Sequence, residues 1–188
     1  MSASFNSAGF LPTSLGGLQV NINGRLAPLL YVSDTQINAV VPFELATRVS
    51  PVLLTITGVP IAPFRVIVDQ GIPQVFRNAN GTTAAINQDG TVNSTANPAK
   101  AGSIVSIWAT GVGWNEQAGD GQQQTSAQPA CDFCVIHDVS QNKDIFPSYS
   151  GAAPGMVNGI MQINFEVMNP RDSYSLASSD LFSIAVIP

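Results

Sequence analysis

The sequence predicts an all-β protein, and three observations support this fold class. Short runs of alternating apolar and polar residues recur about every 8–12 residues, a spacing typical of sandwiches and barrels. No helical periodicity extends over the ~11 residues needed to indicate a helix. The stretch Gln36-Ile37-Asn38 also returns as Gln162-Ile163-Asn164, each time inside an alternating run. We therefore expect two related β-units in this chain.

The first unit begins with Leu18, Val20 and Ile22, which alternate with polar residues. Asn23-Gly24 follows directly and is a strong signal for a tight hairpin turn. Proline residues fall at strand ends or edges, where a missing amide hydrogen costs little. The predicted strands of this unit are residues 18–22, 25–32, 36–41, 52–57 and 64–68.

The second unit repeats part of this order. Asp89-Gly90 suits a tight turn with positive φ. The last predicted strand resembles residues 64–68, and a second repeat in the same order favours duplication over coincidence. The predicted strands of this unit are a hairpin at 84–93, then residues 103–110, 135–137, 162–168 and 181–187.

The boundary between the units falls at residues 71–73, where one strand pattern has ended and the next begins. Units of roughly 90 residues are an ordinary size for an immunoglobulin-like sandwich. We predict two tandem immunoglobulin-like β-sandwiches, residues 14–70 and residues 71–188. Residues 1–13 precede them as a loop or an exchanged strand.

The charge composition argues against several partners. Only 10% of the residues are charged, the net charge is −5, and the seven Lys and Arg residues are scattered. No basic stripe is present that would neutralise nucleic acid. No run approaches the ~20 apolar residues that span a bilayer. Residues 1–6 lack the regions of a signal peptide, so we expect that an export signal was removed or that Met1 replaces it.

Both cysteines lie in the stretch Cys131-Asp132-Phe133-Cys134, and His137 follows. A structural zinc site needs four ligands, usually supplied as two separated pairs, and the second pair is missing. In an exported protein we expect a local disulfide between Cys131 and Cys134. Metal binding and free thiols are the alternatives.

The sequence offers no convincing catalytic site. His137 is the only histidine, so any Ser-His-Asp site must use it, with Asp132 or Asp138 orienting the imidazole. No serine lies in a nucleophile-elbow motif, and no pair of acidic residues has a spacing that indicates a glycosidase. We therefore predict no catalytic residue, no cofactor and no metal. A hydrolase is the weakest alternative.

Two aromatic residues are candidates for ligand binding. Trp114 lies between Gly113 and Asn115 in the polar loop of residues 111–128, and Tyr149 is the second candidate. Exposed aromatic rings can stack on the apolar faces of sugars, and loops often carry binding sites. A carbohydrate-binding or adhesion module is therefore the alternative function.

Six short motifs are specific as a set: residues 11–17, 29–33, 35–38, 41–44, 85–94 and 96–99. They resemble a C-terminal domain of unassigned activity that is common in large secreted proteins of Acidobacteria, the Solibacter-type family. The resemblance covers nearly the whole chain. It implies tandem immunoglobulin-like domains of the IPT/TIG kind in a secreted or cell-surface protein, and it provides no catalytic residue.

Tandem domains of this kind usually begin with a strand like residues 102–111, and no equivalent precedes Ser14. We expect the first sandwich to lack this strand, which leaves an unpaired edge and an apolar slot. Residues 1–13, which contain Phe5 and Phe10, or a segment of another subunit would fill the slot. In the alternative, upstream residues were trimmed and the unit closes with fewer strands.

The function expected from these features is that of a non-enzymatic extracellular structural protein. Strand addition at the incomplete first unit would let it self-associate into an oligomer or filament. Its expected partners are itself or other extracellular proteins, with glycans as partners under the alternative function. Nucleic acid and a membrane span are not expected.

Overall fold

The computed structural model describes residues 1–45, 50–57, 62–68, 71–113, 116–129, 134–168, 173–176 and 180–187. These residues form strands, turns and a 3₁₀ turn at Phe43–Leu45, which confirms the all-β prediction. The chain divides into two compact units. Unit 1 contains Met1–Gln70, Glu116–Thr125 and Pro154–Asn158, and unit 2 contains Gly71–Asn115, Ser126–Ala153 and Gly159–Pro188. That each is immunoglobulin-like stays a prediction.

Unit 1 contains six strands in the described residues: β1 (Gln19–Ile22), β2 (Arg25–Leu26), β3 (Leu29–Val32), β4 (Ile37–Ala39), β5 (Ser50–Thr57) and β6 (Phe64–Val68). One antiparallel sheet has the order β2-β1-β5-β6, and β3 pairs with β4 in a second, two-stranded sheet. The predicted Asn23-Gly24 turn joins β1 to β2, and both residues have positive φ, 52° and 89°. This is the geometry that the tightest hairpin turns require.

The core of unit 1 lies between these two sheets. Its buried members include Val20 and Ile22 of β1 and Leu29 and Val32 of β3. Eight further apolar residues pack against them while only partly buried: Leu15, Leu18, Ile37, Ala39, Leu45, Leu54, Ile56 and Val66. Much of this core is therefore still in contact with solvent.

Unit 2 contains the remaining described strands: β7 (Gln74–Val75), β8 (Ala85–Asn87), β9 (Ala99–Lys100), β10 (Ile104–Thr110), β11 (Ile136–Asp138), β12 (Lys143–Ile145), β13 (Tyr149–Ala152), β14 (Met161–Glu166), β15 (Ser173–Leu176), β16 (Asp180–Ser183) and β17 (Val186–Ile187). One sheet has the order β13-β14-β10-β7, with β8 also paired to β10. A second sheet has the order β12-β11-β15-β16, and β17 pairs in parallel with β9.

The strand series β1 to β6 and β11 to β16 follow the same plan. The four-stranded sheets β2-β1-β5-β6 and β12-β11-β15-β16 have matching order, and the hairpins β3–β4 and β13–β14 also match. The registers agree, because Tyr31 lies opposite Asn38 and Tyr149 lies opposite Asn164. The repeated stretches at Gln36 and Gln162 thus lie at equivalent places, as the sequence repeat predicts.

The two cores differ in the side chains at two of three equivalent positions. In unit 2, Phe165, Tyr174 and Phe182 form a buried aromatic cluster with ring centroids 5.3–6.0 Å apart. By register, their equivalents in unit 1 are Ala39, Leu54 and Phe64. Unit 1 therefore has less side-chain volume at the centre of its sandwich.

Segments 116–125 and 154–158 belong to unit 1, although the sequence analysis placed them in the second domain. Backbone hydrogen bonds explain the difference. Leu11 N donates to Gly121 O at 2.9 Å, and Gln123 N donates to Gly9 O at 2.8 Å. The polar loop is thus tied to the N-terminal segment by long-range pairing that local sequence patterns do not show.

We expect Phe165→Ala to lower the free energy of unfolding of unit 2 by about 3–5 kcal/mol, because the ring is fully buried between two aromatic neighbours. Leu54→Ala in unit 1 should cost less than about 2 kcal/mol, since Leu54 is already partly exposed. Guanidinium unfolding followed by tryptophan fluorescence, with Trp108 in β10, and by circular dichroism measures both. Equal losses in the two variants would contradict the difference between the cores.

Candidate functional site

The candidate site is the outer edge of β4 with the adjacent inner face of unit 1. In the turn before β4, Ser33 N donates to Gln36 O at 2.8 Å, and after the strand Val40 N donates to Pro28 O at 2.8 Å. Backbone groups of alternate residues point to opposite sides of a strand. Those of Gln36 and Val40 face β3, so the N–H and C=O groups of Ile37 and Ala39 face outward.

The N-terminal segment covers the opposite edge of this hairpin. Val32 N donates to Met1 O at 2.9 Å, Ala3 N donates to Leu30 O at 2.8 Å, and Ser2 pairs with Tyr31. Residues 1–3 thus extend the sheet beyond β3. The hypothesis that residues 1–13 fill the slot of the missing strand is therefore wrong in its position, because residues 1–3 pair with β3, residues 9–11 pair with residues 121–123, and none of them pairs with β4.

No residue in the described part of the chain pairs with the outer edge of β4. In unit 2 the same edge of β14 is fully paired with β10, where Ile107 lies opposite Ile163 and Val105 lies opposite Phe165. Because the two strand series otherwise match, β4 has the surroundings of a central strand that lacks one neighbour.

The inner face beside this edge is also uncovered. Leu18, Ile37 and Ile56 line an open depression of about 1140 Å³. Their equivalents in unit 2 are 0–3% exposed: Cys134, Ile163 and Leu176. Farther along the face, Phe64 is 45% exposed, whereas its equivalent Phe182 is 4% exposed.

The side chains that cover this face in unit 2 come from β10. Val105, Ile107 and Ala109 are fully buried in the same core cluster as Ile163 and Leu176. The depression is also lined by Met1, Tyr31 and the turn of residues 33–36, and only its side next to Ile37 corresponds to space that β10 fills in unit 2. The sequence predicts a missing strand but does not identify Leu18 and Ile56 as part of the site, because a single sequence gives no sign of which core residues stay uncovered.

The aromatic candidates do not come together at this site. Phe5 is half-buried, and Phe10 pairs with Gln122 in unit 1. Tyr149 lies in β13, where its hydroxyl donates to Ala152 O at 2.5 Å and burial raises its pKa. Trp114 lies outside the described residues, so its role in binding stays a prediction.

The disulfide between Cys131 and Cys134 also stays a prediction. Cys134 is 3% exposed and packs in the core of unit 2, but Cys131 lies outside the described residues. Among the residues that are described, no group of three or more His, Cys, Asp and Glu side chains is placed to hold a metal ion.

His137 pairs with Asp144, an aspartate that no sequence motif singles out. Its Nδ1 atom lies 2.8 Å from Asp144 Oδ1 on the neighbouring strand β12. Asp138 points into the core instead, at 1% exposure, and its Oδ1 accepts from Ser140 N; Asp132 lies outside the described residues. Ser175 lies opposite His137 on β15, yet their side chains form no hydrogen bond with each other in the described structure.

A carboxylate cluster lies after β4 within unit 1. Asp120 Oδ1 accepts from Phe43 N at 2.9 Å, and Arg25 Nη1 lies 3.1 Å from Glu44 Oε1. Burial raises the pKa of Asp120 above its ordinary value of 3.8, and the nearby Glu44 carboxylate adds to this, while the Phe43 N–H and Arg25 act in the opposite direction. Ionised Asp120 is therefore less favourable in the folded chain than in the unfolded chain.

Comparison of the chain with family models, with curated proteins and with solved structures gives no match. The resemblance to the Solibacter-type domain stays a prediction. Among the described residues, no helix is long and apolar enough to cross a membrane. The function is accordingly inferred from the geometry of the open edge.

We expect the Asp120 carboxyl to make unit 1 more stable as the pH falls. A raised pKa means that the folded chain binds this proton more tightly, so stability rises as the pH falls through the raised pKa toward 3.8. Asp120→Asn keeps the acceptor for Phe43 N and removes the titration. Melting temperatures of both proteins between pH 4 and 7 measure this, and parallel profiles would contradict it.

We expect the disulfide between Cys131 and Cys134 to withhold both thiols from alkylation in the unreduced protein. Mass spectrometry after alkylation should show no added groups before reduction and two after reduction. Two groups added before reduction would show free thiols instead.

Proposed function

We propose that this protein is a non-enzymatic structural module of an extracellular assembly, which joins neighbouring subunits by β-strand addition at the outer edge of β4. One observation carries the proposal: within the described parts of the chain, β4 has one neighbouring strand, whereas β14, at the equivalent place in unit 2, has two. Unpaired strand edges bind further strands readily, and this is an established mode of subunit assembly.

The residues of this edge favour strand addition. Proteins usually protect an edge strand with charged side chains or proline. The edge strands of the four-stranded sheets each carry charge: Arg25 in β2, Arg65 in β6, Lys143 and Asp144 in β12, and Asp180 in β16. Residues 36–41 carry neither charge nor proline. The edge of β4 is thus left without the usual protection.

The extracellular setting is supported by the composition and by the resemblance to a secreted domain. Only 10% of the residues are charged, and polar surfaces built from amides and hydroxyls suit an exported protein better than a typical cytosolic one. The motifs of residues 85–94 and 96–99 add the resemblance to a secreted domain. The proposal combines this location with two immunoglobulin-like modules that act through surfaces and not through catalysis.

We expect the purified chain to form concentration-dependent oligomers or filaments, because two open edges can pair. Ala39→Pro removes the outward N–H of Ala39 and leaves the bonds to β3 in place, so it should raise the concentration needed for association about tenfold. Ala39→Ser keeps the N–H and is the matched control. Sedimentation velocity and electron microscopy measure association.

Two results would contradict this proposal. One is a wild-type chain that stays monomeric over a wide range of concentrations. The other is an Ala39→Pro variant that keeps its circular dichroism spectrum and associates as strongly as the Ala39→Ser control.

A further inference from the structure

We propose that the edge of β4 accepts a donated segment of a different polypeptide, which takes the place that β10 holds in unit 2. This inference rests on the proposed function and adds the direction, the register and the chemistry of the incoming strand. Unit 2 supplies the template, because its strand series matches that of unit 1 and its β10 site is occupied.

The template fixes the direction and the register. β10 runs antiparallel to β14, with Ile107 opposite Ile163 and Val105 opposite Phe165. Since β14 is equivalent to β4, an incoming strand runs antiparallel to β4 and places two inward side chains opposite Ile37 and Ala39. The outward N–H and C=O groups of both residues then find partners.

The uncovered face determines the side chains of the strand. The position opposite Ile37 lies over the depression between Ile37 and Ile56, so it takes an apolar residue such as Ile107 of β10. A charge at this position would be buried without a partner, at a high cost. The strand is therefore uncharged at its inward positions.

The position opposite Ala39 differs from the template in size. In unit 2 the ring of Phe165 fills the space beside Val105, but Ala39 contributes only a methyl group at the equivalent place. Phe64, on the facing sheet, is left 45% exposed. A residue larger than valine, such as phenylalanine, therefore suits this position of the donated strand.

Among the described residues, a second copy of this chain offers its own open β4 edge, which allows the self-association of the proposed function, but it offers no unpaired long strand that would fill the depression. Of its long alternating strands, β10 and β14 are each paired on both edges, and so is β5 between β1 and β6. Contact between two β4 edges would pair strands of only three residues and leave the depression unfilled. The strand that pairs with β4 and fills the depression thus comes from a segment that is unpaired in its own protein.

The test uses a fluorescently labelled peptide with the sequence of residues 102–111, GSIVSIWATG. Fluorescence anisotropy should show saturable binding to the full chain. A Val105→Phe peptide should bind about fivefold more tightly, and an Ile107→Asp peptide about a hundredfold more weakly. Binding of either apolar peptide to the Ala39→Pro chain should be about tenfold weaker than to the Ala39→Ser control.

Hydrogen exchange gives a second readout at the edge itself. The amides of Ile37 and Ala39 should exchange more slowly when the peptide is bound, because their N–H groups become paired. Slower exchange elsewhere with no change at these two amides would place the peptide at another surface and overturn the inference.

The outcomes separate this inference from the proposed function. Oligomers that Ala39→Pro disrupts, without binding of either apolar peptide, overturn the inference and leave strand addition in place. Peptide binding by a monomeric chain supports the inference and contradicts self-association. Oligomers that persist in excess peptide show that a second copy is the occupant, which also overturns the inference.

Discussion

The structure depends on one constraint, which is that a strand at the centre of a sandwich needs a backbone partner on each edge and side chains over its inner face. β14 meets this requirement through β13 and β10. Unit 2 continues beyond β10 to β7, where Val75 N donates to Asp180 Oδ2 at 2.6 Å and Arg77 bonds to Oδ1 at 2.9 Å. These hydrogen bonds of Asp180 join the two sheets of unit 2.

Unit 1 has the same series of six strands, but its described residues form no equivalent of the hydrogen bonds that Asp180 makes in unit 2. By register, the place of Asp180 is held by Ala62, which offers no carboxylate to a strand beside it. The place of Phe165 is held by Ala39, whose small side chain leaves room above β5 and β6. Both differences lie on the side where the described part of unit 1 has no counterpart of β10. The side chains of unit 1 thus differ from those of unit 2 although the backbone plan is the same, and one strand position has no occupant among the residues that the structure describes.

Local signals were enough to predict much of this fold. Asn23-Gly24 and Asp89-Gly90 form turns with positive φ at the glycines, and the Gln36 repeat locates the matching hairpins. The long-range pairings were not predictable, because nothing in the local pattern shows that Leu11 bonds to Gly121. For the same reason, the sequence predicts a missing strand at this edge but does not identify the residues that line the depression beside it.

An uncovered face has an energetic consequence that connects the fold to the proposed function. Full burial of a large apolar side chain contributes about 1.5–3 kcal/mol to the stability of the fold. Leu18, Ile56 and Phe64 contribute only part of this, because each is partly exposed. A strand that binds the folded unit and covers these residues stabilises it in proportion to its affinity and concentration. Sites that sacrifice stability in this way are commonly functional. Under the proposed function, the partly exposed core of unit 1 is the surface that the added strand covers.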